Sequence, residues 1–411
     1  MVAQSKIFKG DRVIWVLLLL LSLLSLLIVY SSTGALAYRQ AGGNTLYFLV
    51  RQLFFIGAGL GLMLVMVNFL SVKIYSIVAN LLIYLSIGLL LTTVVLNFAG
   101  MLEGSGRTLD LGFISFQPAE LAKIALIMYT AKVLAKNQKT KGDLKKAFLK
   151  IIIHSVLVCG MIFVSDFSTA ALLFAAIFAM MFVGRIPFKY LFLVIGTGIV
   201  LVTAIYFLAD QFPSAPARVH TVKGRIDRFV FGDPDAEKGI TQADYAKLAI
   251  YEGGLLGKGP GHSDVSNYMA AAYNDFIFAI IVEEYGLIVS TLVMFLYLIF
   301  FFRSVVIVRR ATRTFPAFLV TGLSLVLVFQ AMINIGVSTG VLPVTGQPLP
   351  WVSLGGTSLL FTSVAFGCIL SVSYQNQVNR KIQKPAVQVN LPDEDYEMGQ
   401  EKKNETSLVK H

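Results

Sequence analysis

Four hundred and eleven residues would ordinarily suggest two or three soluble domains. Hydrophobic residues make up 56% of the chain and charged ones 14%, against roughly 25% charged in a typical soluble protein, which leaves too few polar side chains to cover a water-facing surface. With a mean hydropathy of +0.75, this excludes a disordered chain, a disulfide scaffold and a coiled coil, and indicates an all-α polytopic membrane protein. The net charge of +11 sits in short basic clusters between apolar segments, a pattern that orients a membrane protein rather than one that binds nucleic acid. Cys159 and Cys368 each lie inside an apolar run, with no CxxC or Cys/His ligand spacing, so neither a structural disulfide nor a thiolate metal site is expected.

In chain order, spanning helices are expected near 13–31, 46–68, 74–96, 117–135, 148–164, 169–185, 190–210, 275–302, 315–337 and 356–375, ten in all. The charge bias agrees with that number. Lys6, Lys9 and Arg12 precede the first span, Lys132, Lys136, Lys139, Lys141, Lys145, Lys146 and Lys150 surround the fourth connection, and Arg303, Arg309, Arg310 and Arg313 lie in the eighth. Arg380, Lys381 and Lys384 begin the tail, and ten spans put all four clusters on one side, so both termini are expected in the cytoplasm. Residues 1–12 then form a cytoplasmic N-terminus, 13–378 the membrane domain, and 379–411 a polar, disordered tail. A cleavable signal peptide is the rival reading of the start, given the basic residues and Ala35-Leu36-Ala37, but an apolar run of about 18 residues is long for a signal core.

The connection 211–272 between the seventh and eighth spans falls on the outer side despite carrying Arg218, Lys223, Arg225, Arg228, Lys238, Lys247 and Lys258. The orientation rule weakens for loops of about 60 residues, and a loop so long usually has a task. A short helix is expected near 241–251 and a glycine-rich turn at Gly253–Gly261.

Polar residues inside spans are costly and usually face a cavity or a partner. Arg51 and Gln52 sit in the second span. In the fourth, Pro118 suits the first helical turn, and Glu120 and Lys123, at i and i+3, can pair as a structural ion pair or serve a site. Asp275 stands where the long loop enters the membrane, and either Asn274 or Asp275 could serve as a helix N-cap. Glu283 and Glu284 lie about 12 Å deeper on a continuous helix, on other faces, and are expected to pair with basic residues inside the bundle. Three prolines and four glycines among Gly340–Gly356 forbid a regular helix there, and irregular backbone near the membrane must be buried or line a wet cavity. A polar cavity on the outer side, floored by this segment and edged by Asp275, is therefore predicted.

Three stretches together carry a resemblance. Phe116-Gln117-Pro118-Ala119-Glu120-Leu121-Ala122-Lys123 resembles FQPSELAK, Asp275-Phe276-Ile277-Phe278-Ala279 with Glu283, Glu284 and Gly286 resembles DFIFA…EE-x-G, and Gly340–Ser358 resembles GLLPVTGxPLPxxSxGGSS. In this order on a chain of ten spans, they resemble the SEDS family, the FtsW, RodA and SpoVE peptidoglycan glycosyltransferases, with a lean to FtsW. The chain departs from that pattern at Met269-Ala270-Ala271, where the family has Leu-Pro-Glu, and at Arg107-Thr108, Ser165–Thr169 and Ile240-Thr241-Gln242.

The resemblance implies polymerisation of lipid II at the outer face of the bacterial cytoplasmic membrane, by an inverting transfer with Asp275 as general base. Arg51, Lys123, Arg225 and Lys258 are then candidates for the charge that stabilises the departing pyrophosphate, and Gln117, Glu120 and Ser353 further candidates for substrate contact. It also implies a divalent cation, magnesium or manganese, and a class B penicillin-binding transpeptidase as partner, with other division or elongation proteins. A lipid II flippase and a noncatalytic scaffold are the alternatives, since a cavity with intramembrane charges would serve transport equally well.

Overall fold

The computed structural model describes residues 7–40, 42–101, 106–110, 115–138, 140–211, 221, 223–225, 227–228, 231, 240–269 and 272–388. Helices occupy all ten apolar stretches: α1 (Arg12–Ser32), α3 (Thr45–Phe69), α4 (Val72–Phe98), α5 (Pro118–Lys136), α6 (Lys141–Ser165), α7 (Phe167–Val183), α8 (Phe188–Gln211), α10 (Ile277–Arg309), α11 (Thr314–Ser338) and α12 (Thr357–Gln388). Seven of these are long and apolar enough to cross a membrane among the described residues; α5 is not one of the seven, and the apolar parts of α7 and α8 are shorter. Smaller elements complete the order: α2 (Gly34–Gln40), α9 (Gln242–Gly253), a 3-10 turn (Val265–Asn267) and an antiparallel pair of two-residue strands, β1 (Leu109–Asp110) and β2 (Ser115–Phe116). α9 is the helix expected in the long loop. Of that loop, Arg218 and Lys238 lie outside the described residues, as do Lys6, Lys139, and Ala270 and Ala271 ahead of Asp275.

Local chemistry sets the helix ends. Asp11 caps α1 by accepting from the Val13 and Ile14 N–H groups at 2.9 and 3.3 Å. Pro118 opens α5, where its missing N–H removes no helical bond. Reciprocal side-chain bonds between Thr140 and Asp143, and between Thr241 and Asp244, start α6 and α9. α12 packs along α3, α4 along α5, and α11 against α5, α7 and α10, so α5 and α11 are the most enclosed helices. α1 is part of this bundle: Ser25 and Trp351's partner Ser22 are buried, and Ser31 donates to Glu284. Cys159 and Cys368 are free and buried, as their surroundings suggested.

Two expectations need correction. The last helix does not end near 375 but runs to Gln388: Arg380, Lys381 and Lys384 are good helix formers that extend an established helix, and Pro385 falls only in its final turn. Residues 389–411 of the expected tail lie outside the described residues. The eighth helix is also not continuous. At Gly286, φ 77° and ψ 175° break it, a backbone region essentially reserved for glycine.

The break is filled by the glycine-rich turn that follows α9. Lys258 and Gly259 donate backbone N–H bonds to the Glu283 and Glu284 carbonyls at 2.9 Å each, and Leu287 donates to Gly254 at 3.0 Å. The helix groups freed by the kink thus find partners in protein, as burial requires. A Cβ built on Gly286 would lie 2.3 Å from the Leu255 carbonyl oxygen, and one on Gly257 2.3 Å from that of Glu284, so the two backbones touch where only glycine fits.

Candidate active site

Asp275 lies in the turn immediately ahead of α10. It does not cap the helix: the N-cap position is Phe276, at φ −118° and ψ 22°, and no side chain caps this end. The carboxylate is therefore not consumed by the role that most often explains an aspartate at a helix start. The angular offset expected between Asp275 and Glu283 on one continuous helix does not apply, since Asp275 precedes the first helical residue.

Three consecutive carbonyls clamp this turn. Tyr273 accepts from the Leu354 N–H at 3.1 Å, Asn274 from Ser353 Oγ at 2.9 Å, and Asp275 from Asn334 Nδ2 at 2.9 Å. Asn334, fully buried on α11, also donates to the Gln347 carbonyl at 2.8 Å, so one amide joins α11, the turn and the irregular strap between α11 and α12. Ser353 accepts from the Leu349 N–H at 2.8 Å and is buried. It holds the strap to the turn rather than opening toward a substrate. Trp351 lies at φ 69°, a costly conformation for a bulky residue, and is held there by an indole N–H donated to Ser22 at 2.8 Å.

The carboxylate itself is half-buried, with Oδ1 lacking a hydrogen-bond partner among the described residues. Oδ2 passes so close to Gly346, itself at φ 69°, that a Cβ there would sit 3.4 Å away. Burial pushes the Asp275 carboxyl up to about 6; Arg107 and Arg225 pull it down and Asp166 adds to the rise. Asp166 caps α7 through the Thr169 N–H at 3.0 Å, accepts from Thr169 Oγ1 at 2.9 Å, and pairs with Arg107 at 3.0 Å. Gln347 then donates to Thr169 Oγ1 at 2.9 Å, and Arg225 donates to Ser168 Oγ at 3.4 Å. A relay of polar groups thus runs from the strap through α7 to the charges around Asp275.

Beside this cluster opens a cavity of about 540 Å³, edged by Phe276, floored by Gly340–Val344 and lined on the loop side by Arg225, Arg228, Gln242 and Lys247. The strap floors it, as the prolines and glycines suggested, but Phe276 rather than Asp275 stands at its edge.

The structure distributes the remaining candidates differently. Arg225 is the one candidate cation whose charge acts on Asp275. Lys258 is held by Asp264 at 2.8 Å, by Glu283 at 3.2 Å and by Glu252, which keep its ammonium above the usual lysine range. It therefore serves the kink of α10, neutralising the fully buried Glu283, which also accepts from Ser263 Oγ and the Asp264 N–H. Glu283 thus has a basic partner, but from the loop and not from inside the bundle as expected. Glu284 meets the Ser31 hydroxyl instead. Glu120 and Lys123 pair with each other at 2.8 Å, nearly buried, which is the structural role their spacing allowed. Gln117 stands at the N-cap of α5 without a capping bond. Arg51 is exposed on α3, its guanidinium next to Gly356, while its neighbour Gln52 is buried and bonded to Ser25, Ser353 and Gly355.

The group of three carboxylates close enough to share a metal among the described residues, Glu252, Asp264 and Glu283, encloses the Lys258 ammonium and so does not fit a divalent cation. Sequence reasoning missed Arg107, Thr169, Asn334, Gly346 and Gln347 as members of the site. Asn334 carried a usable signal, an amide within an apolar helix, where polar groups usually meet a partner.

Comparison with known proteins supplies the remaining observation. Residues 11–378 match the model of the FtsW/RodA/SpoVE family, described as cell cycle proteins. The chain is 31% identical over 375 residues to a probable peptidoglycan glycosyltransferase FtsW of Coxiella burnetii, covering 88% of this chain and 96% of that one. It is equally 31% identical over 364 residues to the peptidoglycan glycosyltransferase MrdB of Escherichia coli, covering 86% and 92%. Among solved structures, it is similar in fold to a chain of a peptidoglycan synthase complex that coordinates polymerization and crosslinking, with a TM-score of 0.70 at 23% identity over 89% of this chain and 98% of that one. The rod shape determining protein RodA of Thermus thermophilus matches with a TM-score of 0.62 at 22% identity, over 89% and 97%.

Proposed function

This chain belongs to the FtsW/RodA/SpoVE family of cell cycle proteins and is by that membership a multi-pass membrane peptidoglycan glycosyltransferase; we propose that it polymerises lipid II with Asp275 as general base. In this reading all ten long helices span the bacterial cytoplasmic membrane, both termini are cytoplasmic, and the loop of α9 lies outside. The count of lysines and arginines on the two sets of connections supports that arrangement.

The reaction needs one proton acceptor. Asp275 takes the proton of the acceptor sugar's 4-hydroxyl as that oxygen attacks the anomeric carbon of the donor. The bond to the lipid diphosphate breaks, its electron pair leaves with the diphosphate, and direct displacement inverts the anomeric centre. A diphosphate departs without protonation, so one carboxylate suffices where glycosidases use two. With its carboxyl raised to about 6, Asp275 is mostly ionised at pH 7 and still basic enough to accept a proton.

Arg225 and Arg107, with Arg228 and Lys247 on the cavity wall, offer positive charge for the developing diphosphate. A divalent cation remains a proposal from the resemblance; bound, it would add charge for the same diphosphate. Arg51, Gln117, Glu120 and Lys123 remain proposed substrate contacts. A class B penicillin-binding transpeptidase is the proposed partner, and division the proposed process.

The observation that carries this reading is the Asp275 carboxylate: clamped through its backbone, free of a capping role, and set beside a basic cavity. Purified protein with its transpeptidase partner is expected to build glycan polymer from lipid II in detergent, and Asp275→Asn to abolish it while remaining monodisperse. Polymer from the folded variant removes the proposed base. Lipid II scrambling in vesicles without polymer from wild type favours a flippase, and normal growth on the variant alone favours a scaffold.

A further inference from the structure

At the end of the bundle remote from Asp275, the start of α1, the end of α10 and the last turns of α12 enclose a cavity of about 250 Å³. Asp11, Arg12, Arg303, Arg310, Asn376 and Arg380 line it. Arg303, Arg310 and Arg380 thus line one concavity with a single carboxylate, and that carboxylate is engaged twice over: it caps α1 and it binds Arg303 Nη2 at 2.5 Å. Arg303 is three-quarters covered, and its Nε is buried with no acceptor among the described residues. A buried charged donor without an acceptor is costly, and close guanidinium groups repel one another unless an anion lies between them. The N-terminus of α1 adds its partial positive charge to the same place.

The level of this cavity relative to lipid follows from its neighbours. The Trp15 indole N–H donates to the Lys9 carbonyl at 3.0 Å, and the Lys9 ammonium stands 5.0 Å over the Tyr374 ring. Amphipathic aromatic residues beside basic ones mark the headgroup zone of a bilayer. Orientation by positive charge explains why arginines lie on this face. It does not call for arginines from three helices to converge on one concavity around a buried, unpartnered donor.

We propose that this cavity is an anion site that binds the phosphodiester of an anionic phospholipid headgroup. Guanidinium groups suit phosphate oxygens in geometry and charge, and basic pockets between spanning helices are a known form of headgroup recognition. Inorganic phosphate offers the same oxygens without the acyl chains, so the two sources separate experimentally. The site is distinct from the sugar-transfer centre and does not depend on its assignment.

The test uses the full chain in a neutral detergent, with thermal unfolding followed on titration with phosphatidylglycerol, phosphatidylcholine or inorganic phosphate. Phosphatidylglycerol is expected to raise the unfolding temperature saturably, with the other two inactive at equal concentration. Arg310→Gln with Arg380→Gln is expected to weaken that response at least about tenfold in apparent affinity, as loss of two charge-assisted contacts implies. Lys145→Gln with Lys146→Gln makes the same charge change on the exposed start of α6 and is expected to leave the response intact. An equal loss in the lysine pair, or an undiminished response in the arginine pair, overturns the site. A response to inorganic phosphate equal to that of the lipid upholds the anion site and overturns its lipid source. If the arginine pair fails to fold, Arg380→Gln alone is read in the same way.

Discussion

Replacing Asp275 by Asn is expected to make the protein more stable at neutral pH while destroying its activity. Burial, opposed by Arg107 and Arg225, moves this carboxyl from 3.8 to about 6. A rise of about two units, at about 1.4 kcal/mol each, means that the ionised group costs the fold at most about 3 kcal/mol at pH 7.5. The native state binds the proton more tightly than the unfolded chain does. The stabilising contribution of the protonated form is thus complete below about 3.8 and is lost as pH rises through about 6. Between pH 7 and pH 5, about 1 kcal/mol of the cost is relieved. Asn has nearly the same shape and does not titrate, so Asp275→Asn should unfold at a higher temperature than wild type at pH 7.5, and the gap should narrow at pH 5. Thermal unfolding of both proteins in one detergent at the two pH values measures this. A variant less stable than wild type at pH 7.5, or a gap that does not change with pH, refutes a carboxylate held at a cost by its surroundings.

Two other perturbations follow from the same geometry. Arg107→Gln removes a positive charge that lowers the Asp275 carboxyl, so the acid limb of the polymerisation rate should move to higher pH, while Arg107→Lys should leave it in place; a limb that stays or moves down contradicts the assignment. Gly286→Ala places a methyl 2.3 Å from the Leu255 carbonyl at a backbone angle that suits glycine alone, so a loss of about 3 kcal/mol or more is expected. Expression and unfolding temperature check it, and a wild-type melting temperature would show that the kink is dispensable.

Legibility in the sequence followed the range of the interactions. The ten helices, α9 and the glycine-rich turn fall where local signals such as apolar length and closely spaced glycines placed them. Asp275 and the strap were also visible, the first as an acid at a membrane boundary, the second as prolines and glycines where a helix would otherwise run. Pairings across the bundle were not. Arg107 and Asp166 are 59 positions apart, as are Asp275 and Asn334, and no periodicity links them. Arg107 in the sequence was merely the charge of an outer loop; only the fold brings it to Asp275. Lys258 shows the reverse case. As an isolated lysine in a basic loop it suited a diphosphate, but Glu252, Asp264 and Glu283 converge on it and give it a structural task. Ser353 was similarly legible as part of a motif but not as the hydroxyl that ties that motif to the turn carrying Asp275.

The initial rate of glycan polymerisation as a function of pH, at lipid II well below saturation so that it reports kcat/KM of the free enzyme, and with the transpeptidase partner present, probes the base most directly. The account gives an acid limb of unit slope centred near pH 6, where Asp275 takes up its proton, and no polymer from Asp275→Asn at any pH. A rate that stays flat down to pH 5, or the same limb persisting in the variant, would show that another group accepts the proton.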